Sequence, residues 1–392
     1  MHRTDKLSDI EAKFLKKGSL GLAPMEGVTD LAFRLWIALT SPPAFMWTPF
    51  MRATDSFPKE IPPSYAPELK RLKGLVPFRL IPQVMASKVE DFSRTAELLL
   101  KDVDFVDLNC GCPSPTVVGS KAGSSLLESS SYFFDFVSRV VENCGPNSVS
   151  VKMRTGYNDP SEFQGLISVI KGLPLAQLTI HGRTRPQRYT GYADWNLIAS
   201  GAQNVSFPVV GSGDIVDQSS ALERFGQCPR LQALIVGRGA LRNPWIFGGH
   251  AHVPLIEALA VFALLQDYGI SSSDFLLKFA ESGGVLTKAG SDAQRWEDAL
   301  TTLAHIGGRP RYYLSPEVSP RAFARVKMIW SYMRSSLPAC FMDPLVLRTK
   351  NLGEFFEFVK KIGRDNGLNI LEVPLVYRKD LDWMYSGAGR ST

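Results

Sequence analysis

Two thiols flank a single glycine at the end of an apolar segment: Cys110, Gly111 and Cys112 are followed at once by Pro113. A thiol placed there can act as nucleophile, metal ligand, redox partner or general acid. The sequence offers no second Cys/His pair at a spacing that would complete a zinc site. Cys110 is expected to face the interior as a small hydrophobe, which leaves Cys112 on a loop.

Other reactive types recur after apolar segments. Lys152 sits inside SVSVKM, where an ammonium is costly unless it meets an anion. A flavin ring that gains negative charge on reduction fits that need, and an ion pair with a neighbouring carboxylate fits it too. His181 precedes GRTR and reads equally as a functional group or as a satisfied core histidine. Ser212, Gly213 and Asp214 in GSGDI, with Gly237 and Arg238 in VGRG, are glycine turns whose backbone N–H groups can approach a phosphate. Pro24, Met25 and Glu26 leave the first apolar segment, where Pro24 and Met25 can pack on a planar ring. Gln83 offers both a donor and an acceptor to a heterocycle edge.

These groups need a frame that brings them together. Apolar, β-branched segments suggest strands over 19–24, 45–50, 80–85, 105–109, 148–153, 177–181, 208–211 and 234–237. Helices are expected between them, among others over 88–102, 131–143, 160–171 and 219–225. Alternation sustained over ~250 residues points to a (β/α)8 TIM barrel of the α/β class, with a doubly wound open sheet as competitor. The barrel is favoured because it gathers all eight strand ends at one mouth. The rhythm stops near residue 250. Helices are then expected over 255–268, 293–303, 320–337 and 352–366, with Gly- and Ser-rich loops or an irregular insertion around 269–310. The reading is a catalytic barrel over 1–250 and a C-terminal helical domain over 251–392.

The 392 residues carry 45% hydrophobic and 21% charged side chains, which excludes disordered and fibrous classes. The longest apolar run, 258–265, falls short of the ~20 residues of a membrane span. The charged first 17 residues lack the apolar centre of a secretory signal. Five cysteines, an odd number, read as reduced thiols, so a cytoplasmic protein is expected. A net charge of +6 suits a polyanionic partner without requiring one.

The motifs LAPMEGVTD (22–30), VDLNCGCPSPTVVGSKAGSSLL (106–127), VKMRTGY (151–157), LTIHGRTRPQRYTGYADW (178–195), VVGSGDI (209–215) and LIVGRGALRNPWIF (234–247) together resemble the tRNA-dihydrouridine synthase family. A further stretch, SPRAFARVKMIWSYM (319–333), resembles the C-terminal helical domain of its bacterial C-type branch.

The resemblance implies FMN held in the barrel by Pro24, Met25, Glu26, Gln83, Lys152, His181, Ser212, Gly213, Asp214, Gly237 and Arg238. Cys112 would be the proton donor, Asn109, Arg154 and Tyr189 would hold the target uridine, and NADPH would be the reductant. In that chemistry a hydride reaches uridine C6 and Cys112 protonates C5, so the thiol pKa is expected not to be strongly lowered. tRNA is the implied partner, with position 16 as the implied target and a monomer expected.

Between Arg309 and Lys350, eight basic residues face two acids. Within 320–337, Ala322, Val326, Ile329, Trp330, Met333 and Leu337 form an apolar stripe. Arg321, Arg325, Lys327 and Arg334 lie on its edges and are expected to grip phosphate. Ser212 stands where the family commonly has asparagine. The rival readings are an FMN barrel reducing a small molecule of the dihydroorotate or enoate type, and a tRNA-binding module without redox activity.

Overall fold

The computed structural model describes residues 17–61, 68–72, 76, 78–271, 273–282, 286, 292–308 and 317–376. The charged segment 1–16, Arg309, Arg311 and most of the Gly/Ser-rich stretch 283–291 lie outside them.

Eight parallel strands build the barrel: β1 (Ser19–Leu22), β2 (Phe45–Trp47 with Met51–Arg52), β3 (Arg79–Ile81 with Gln83–Met85), β4 (Val106–Cys110), β5 (Val149–Arg154), β6 (Gln177–His181), β7 (Val209–Ser212) and β8 (Ala233–Val236). Each pairs with the next in sequence, and β8 returns to β1 through Ser19–Ala233 to Leu22–Val236, so the cylinder closes. The eight expected strands are all present.

Two of the strands are broken where continuous runs were expected. Pro82 has no N–H for the ladder, and it divides β3 into two segments. Thr48 bridges the gap: its N–H donates to the Ile81 carbonyl, and its Oγ1 accepts from the Gln83 N–H at 3.0 Å. The break turns Gln83 into the barrel, where it is 1% exposed.

Helix α1 (Leu31–Thr40) starts on an Asp30 cap that accepts from the Phe33 N–H, and all ten of its residues are buried. An α1 apolar on every side needs cover beyond the barrel. The cover is α8 (Leu255–Ser271), which carries the apolar run 258–265. Trp36 donates its indole N–H to the Ala258 carbonyl at 2.8 Å and packs on Phe262 with ring centroids 4.7 Å apart. Between α1 and α8 the barrel is wrapped by α2 (Val89–Leu99), α3 (Ser130–Cys144), α4 (Phe163–Ile170), α5 (Trp195–Gln203), α6 (Gln218–Gln227) and the one-turn α7 (Arg238–Arg242).

The described residues between 269 and 308 are more regular than the expected loop or insertion. Helix α8 runs through Gly269, followed by α9 (Ser273–Glu281) and α10 (Asp292–Ile306). A Cβ on Gly269 would lie 3.0 Å from Leu276 and 3.8 Å from Ala32, so this glycine permits close helix packing and marks no turn. Helix α11 (Pro320–Met333) ends four residues before the expected 337, yet the predicted stripe is completely buried, with Ala322, Val326, Ile329, Trp330 and Met333 on the helix and Leu337 beyond it all at 0% exposure. Helix α12 (Leu352–Asp365) completes the C-terminal layer. No helix among the described residues is long and apolar enough to cross a membrane.

Candidate active site at the barrel mouth

The side chains of β3, β4 and β5 meet at the mouth because strand side chains on one face recur every second residue. Asp107 and Asn109 lie on one face of β4, and Asn109 stands in register with Lys152 on β5. A directional relay joins them. Ser150 Oγ and Gln83 Nε2 donate to the two Asp107 oxygens at 2.5 and 2.7 Å. Asn109 Nδ2 donates to Gln83 Oε1 at 2.8 Å, and Asn109 Oδ1 accepts from the Gly111 and Cys112 N–H groups, each at 3.0 Å.

An ionised carboxylate only accepts, so Asp107 fixes which way the Gln83 amide points and, through it, the Asn109 amide. The relay ends by holding the backbone of the cysteine loop. Asp107 carries a pKa raised to about 6, chiefly by burial, against hydrogen bonds from Gln83 and Ser150 and the nearby Lys152 charge.

The Lys152 side chain has no hydrogen bond or ion pair among the described residues. Its pKa is lowered to about 8, first by burial and then by the Arg154 charge, with Asp107 and Cys112 opposing. Arg154 is 3% exposed. Its Nε donates to the Gly111 carbonyl at 2.7 Å, and its Nη1 donates to the Thr184 and Arg188 carbonyls at 3.0 and 2.9 Å. That leaves the two Nη2 hydrogens for a ligand.

His181 lies in register with Arg154 and Ser212. Burial and the cations Arg154, Lys152, Arg183 and Arg238 push its pKa well below 6.5, so the ring is neutral. Its Nε2 lies 3.3 Å from Arg183 Nη1. A guanidinium can only donate, so Nε2 accepts and Nδ1–H remains as a donor. The core-histidine and functional readings therefore meet in one residue.

Cys112 is partly buried against Phe50, Met85, Val117 and Ala122. Its pKa is raised, mainly by burial and secondarily by Glu26, against a Ser114 backbone hydrogen bond and the charges of Arg154 and Arg52. At neutral pH it is a thiol. Cys110 is fully buried, as expected, and all five cysteines are free.

The two glycine turns expected to approach a phosphate lie side by side at the ends of the paired strands β7 and β8. Among the described residues the N–H groups of Gly213, Asp214 and Gly237 donate to no backbone carbonyl. Gly213 has φ +136°, and a Cβ there would lie 2.5 Å from that of Ala193, so only glycine fits. The Asp214 carboxylate is committed within the protein: it accepts from Arg183 Nη2 at 2.5 Å and from the Ala193 N–H at 2.6 Å. What Asp214 offers a ligand is its backbone N–H.

Arg238 has its guanidinium carbon 4.8 Å from the Tyr189 ring centroid, and Arg154 approaches the same ring at 5.8 Å. Pro24 and Met25 are half-buried at the end of β1, where a Cβ on Gly237 would lie 3.9 Å from Met25 Sδ, while Glu26 is exposed. Sequence reasoning missed Asp107 and Arg183. Both sit inside motifs that were singled out, and their signal is an ionisable type at an inward-facing strand position or beside a glycine.

The four basic residues of the C-terminal helix divide. Arg321 is exposed. Arg325 reaches the loop after β1: Nη1 donates to the Gly27 carbonyl at 2.6 Å, and Nη2 donates to the Val28 carbonyl and the Asp30 carboxylate, both at 3.0 Å. It straps α11 to the segment that carries Pro24, Met25 and Glu26. Lys327 donates to the Thr349 carbonyl at 2.5 Å and lies 4.6 Å from the Phe323 ring centroid, and Arg334 donates to the Met342 carbonyl at 3.2 Å. Arg325→Ala is expected to lower stability by about 1–3 kcal/mol and to speed amide exchange at residues 24–30. Unchanged exchange there, measured by mass spectrometry, contradicts the strap.

A family model described as dihydrouridine synthase (Dus) matches residues 21–260. A tRNA-dihydrouridine(16) synthase of Shigella flexneri is 32% identical over 259 residues, 63% of this chain and 80% of that protein. A probable tRNA-dihydrouridine synthase of Aquifex aeolicus is 30% identical over 238 residues, covering 59% and 72%. A tRNA-dihydrouridine(47) synthase [NAD(P)(+)]-like protein of Arabidopsis thaliana is 35% identical over 170 residues, and this match covers 42% of the chain and only 24% of that relative. The family match takes in every mouth residue described above, and on that ground the chain belongs to the dihydrouridine synthase family.

Proposed function

We propose that the protein reduces a uridine of tRNA to 5,6-dihydrouridine, with FMN in the barrel and NADPH as reductant. The observation that carries this reading is the Cys112 loop held by Asn109 and by Arg154 Nε, with the Arg154 Nη2 hydrogens unspent, at the same mouth as a Lys152 ammonium that makes no hydrogen bond or ion pair among the described residues.

The residues fit an anionic, planar cofactor. Lys152 supplies the charge for the ring's electron-rich edge. The N–H groups of Gly213, Asp214 and Gly237, with Arg238, suit the phosphate. Gln83 keeps one Nε2 hydrogen and His181 keeps Nδ1–H for the ring or its side chain, Ser212 lines the same wall, and Pro24, Met25 and Glu26 leave the neighbouring strand beside Gly237. When bound, FMN reduced by NADPH supplies the hydride for uridine C6.

The chain's own groups do the rest. Arg154 Nη2 and the second Asn109 Nδ2 hydrogen are donors for the uracil carbonyl oxygens, where negative charge develops. Tyr189, 47% exposed, is a stacking face for the ring. The Cys112 proton is delivered to C5. The uridine must leave its stack to reach these groups, and we propose that the barrel over 1–250 does the chemistry while 251–392, through Arg321 above all, helps to hold tRNA. The proposed form is a cytoplasmic monomer, and the similarity to the tRNA-dihydrouridine(16) synthase of Shigella flexneri favours position 16.

Activity on intact tRNA with none on free uridine is the expected outcome when NADPH oxidation is followed with each substrate. Equal turnover of free uridine or another small enone would favour the small-molecule flavin barrel instead.

A further inference from the structure

A cleft of about 630 Å3 lies between segments adjoining Cys112 and Tyr189 in the chain, lined by Pro113, Pro115, Val118 and Gly119 on one wall and Arg185, Pro186 and Arg188 on the other. The first wall is Pro113 and the short helix Pro115–Gly119, a segment that begins one residue after Cys112. The second is the loop that ends one residue before Tyr189. One face is apolar and the other cationic, which is the pairing a nucleotide needs for its base or ribose and its phosphate.

The two arginines are not equivalent. Arg185 is spent on structure: its guanidinium lies 4.0 Å from the Tyr157 ring centroid and donates to the Tyr157 carbonyl at 3.2 Å and to Asn158 Oδ1 at 3.1 Å. Arg188 is exposed, and its side chain makes no hydrogen bond or ion pair among the described residues. Its backbone is held at φ +47°, unusual for a residue with a Cβ, while its carbonyl accepts from Arg154 Nη1 at 2.9 Å. Arg188 therefore sends a free cation into the cleft and steadies the guanidinium next to the reacting thiol.

We infer that this cleft is a subsite for the nucleotide adjacent to the target uridine in the same RNA strand, with Arg188 on the phosphodiester between them and Pro113, Pro115 and Val118 against the neighbouring base or ribose. The inference rests on the proposed uridine reduction. It goes beyond that reading by assigning strand recognition to the barrel itself, independently of the C-terminal helix. A nucleotide extruded from its stack carries its linking phosphates to the mouth, and Arg188 is where one of them can be neutralised.

The test compares the flavin-loaded wild type with Arg188→Ala, Arg188→Lys and, as a control for charge alone, Arg139→Ala on the outer helix α3. Affinity for a tRNA transcript is measured over a range of KCl concentrations, together with product formation and the KM for NADPH. Arg188→Ala is expected to bind about 3- to 10-fold more weakly, with a salt slope smaller by about 0.7. Arg188→Lys should restore the slope, and Arg139→Ala should match wild type. Wild-type affinity and slope in a folded Arg188→Ala overturn the subsite, as does a raised KM for NADPH with tRNA affinity intact, which would assign the cleft to the dinucleotide. Failure of the underlying reading looks different: the wild type itself would form no dihydrouridine.

Discussion

Cys112→Ala is expected to lower dihydrouridine formation by about 10²–10⁴-fold, the range for loss of a positioned general acid, while bound flavin and tRNA affinity stay at wild-type values. The reason lies in the geometry around the thiol. Asn109 fixes the loop through the Gly111 and Cys112 N–H groups, contacts that use backbone atoms and survive the substitution. What disappears is one proton, available because burial and Glu26 raise the thiol pKa against the pull of Arg154 and Arg52. Cys112→Ser, which retains a hydroxyl of still higher pKa, should remain strongly impaired. Quantifying product by nucleoside mass spectrometry decides it, and a fully active alanine variant removes Cys112 from the mechanism.

Lys152→Met should move stability and cofactor binding in opposite directions. The native ammonium is partly buried and unpaired among the described residues, with a pKa lowered to about 8. Its ordinary value is higher, so between about pH 8 and 10.5 the unfolded chain binds more protons at this site than the folded one, and stability rises with pH across that window. Methionine removes both the cost at neutral pH and the rise. The flavin-free variant is expected to melt higher by roughly 2–4 °C, and its alkaline stabilisation should be smaller than that of wild type. Flavin affinity should fall about 10- to 100-fold, as expected for loss of a hydrogen bond to a charged group worth about 1.5–3 kcal/mol. Scanning calorimetry against pH and fluorescence titration with FMN read the two effects separately. A variant that melts lower in every buffer and binds FMN normally would show that Lys152 is structural.

The barrel was legible because its strands are short apolar runs, each followed by polar groups, and β6 matches its expected span to the residue. The break at Pro82 was equally visible in principle, since a proline cannot donate to a ladder, yet the apolar residues around it read as one run. Composition misled at Gly269, where a residue type typical of turns serves as a contact between helices. The amphipathic stripe of α11 followed from spacing alone. The fate of Arg325 did not, because spacing gives the edge of a helix and not the chain that faces it. The relay from Asp107 to Asn109 depends on the register of three strands, which only the closed sheet supplies.

The most direct test is mass spectrometry of nucleosides and mapped fragments from unmodified tRNA incubated with the FMN-loaded protein and NADPH. The account predicts a gain of two hydrogens on one defined uridine, dependent on NADPH and absent with Cys112→Ala. Unaltered tRNA after exhaustive incubation with protein that binds FMN and is reduced by NADPH would contradict it.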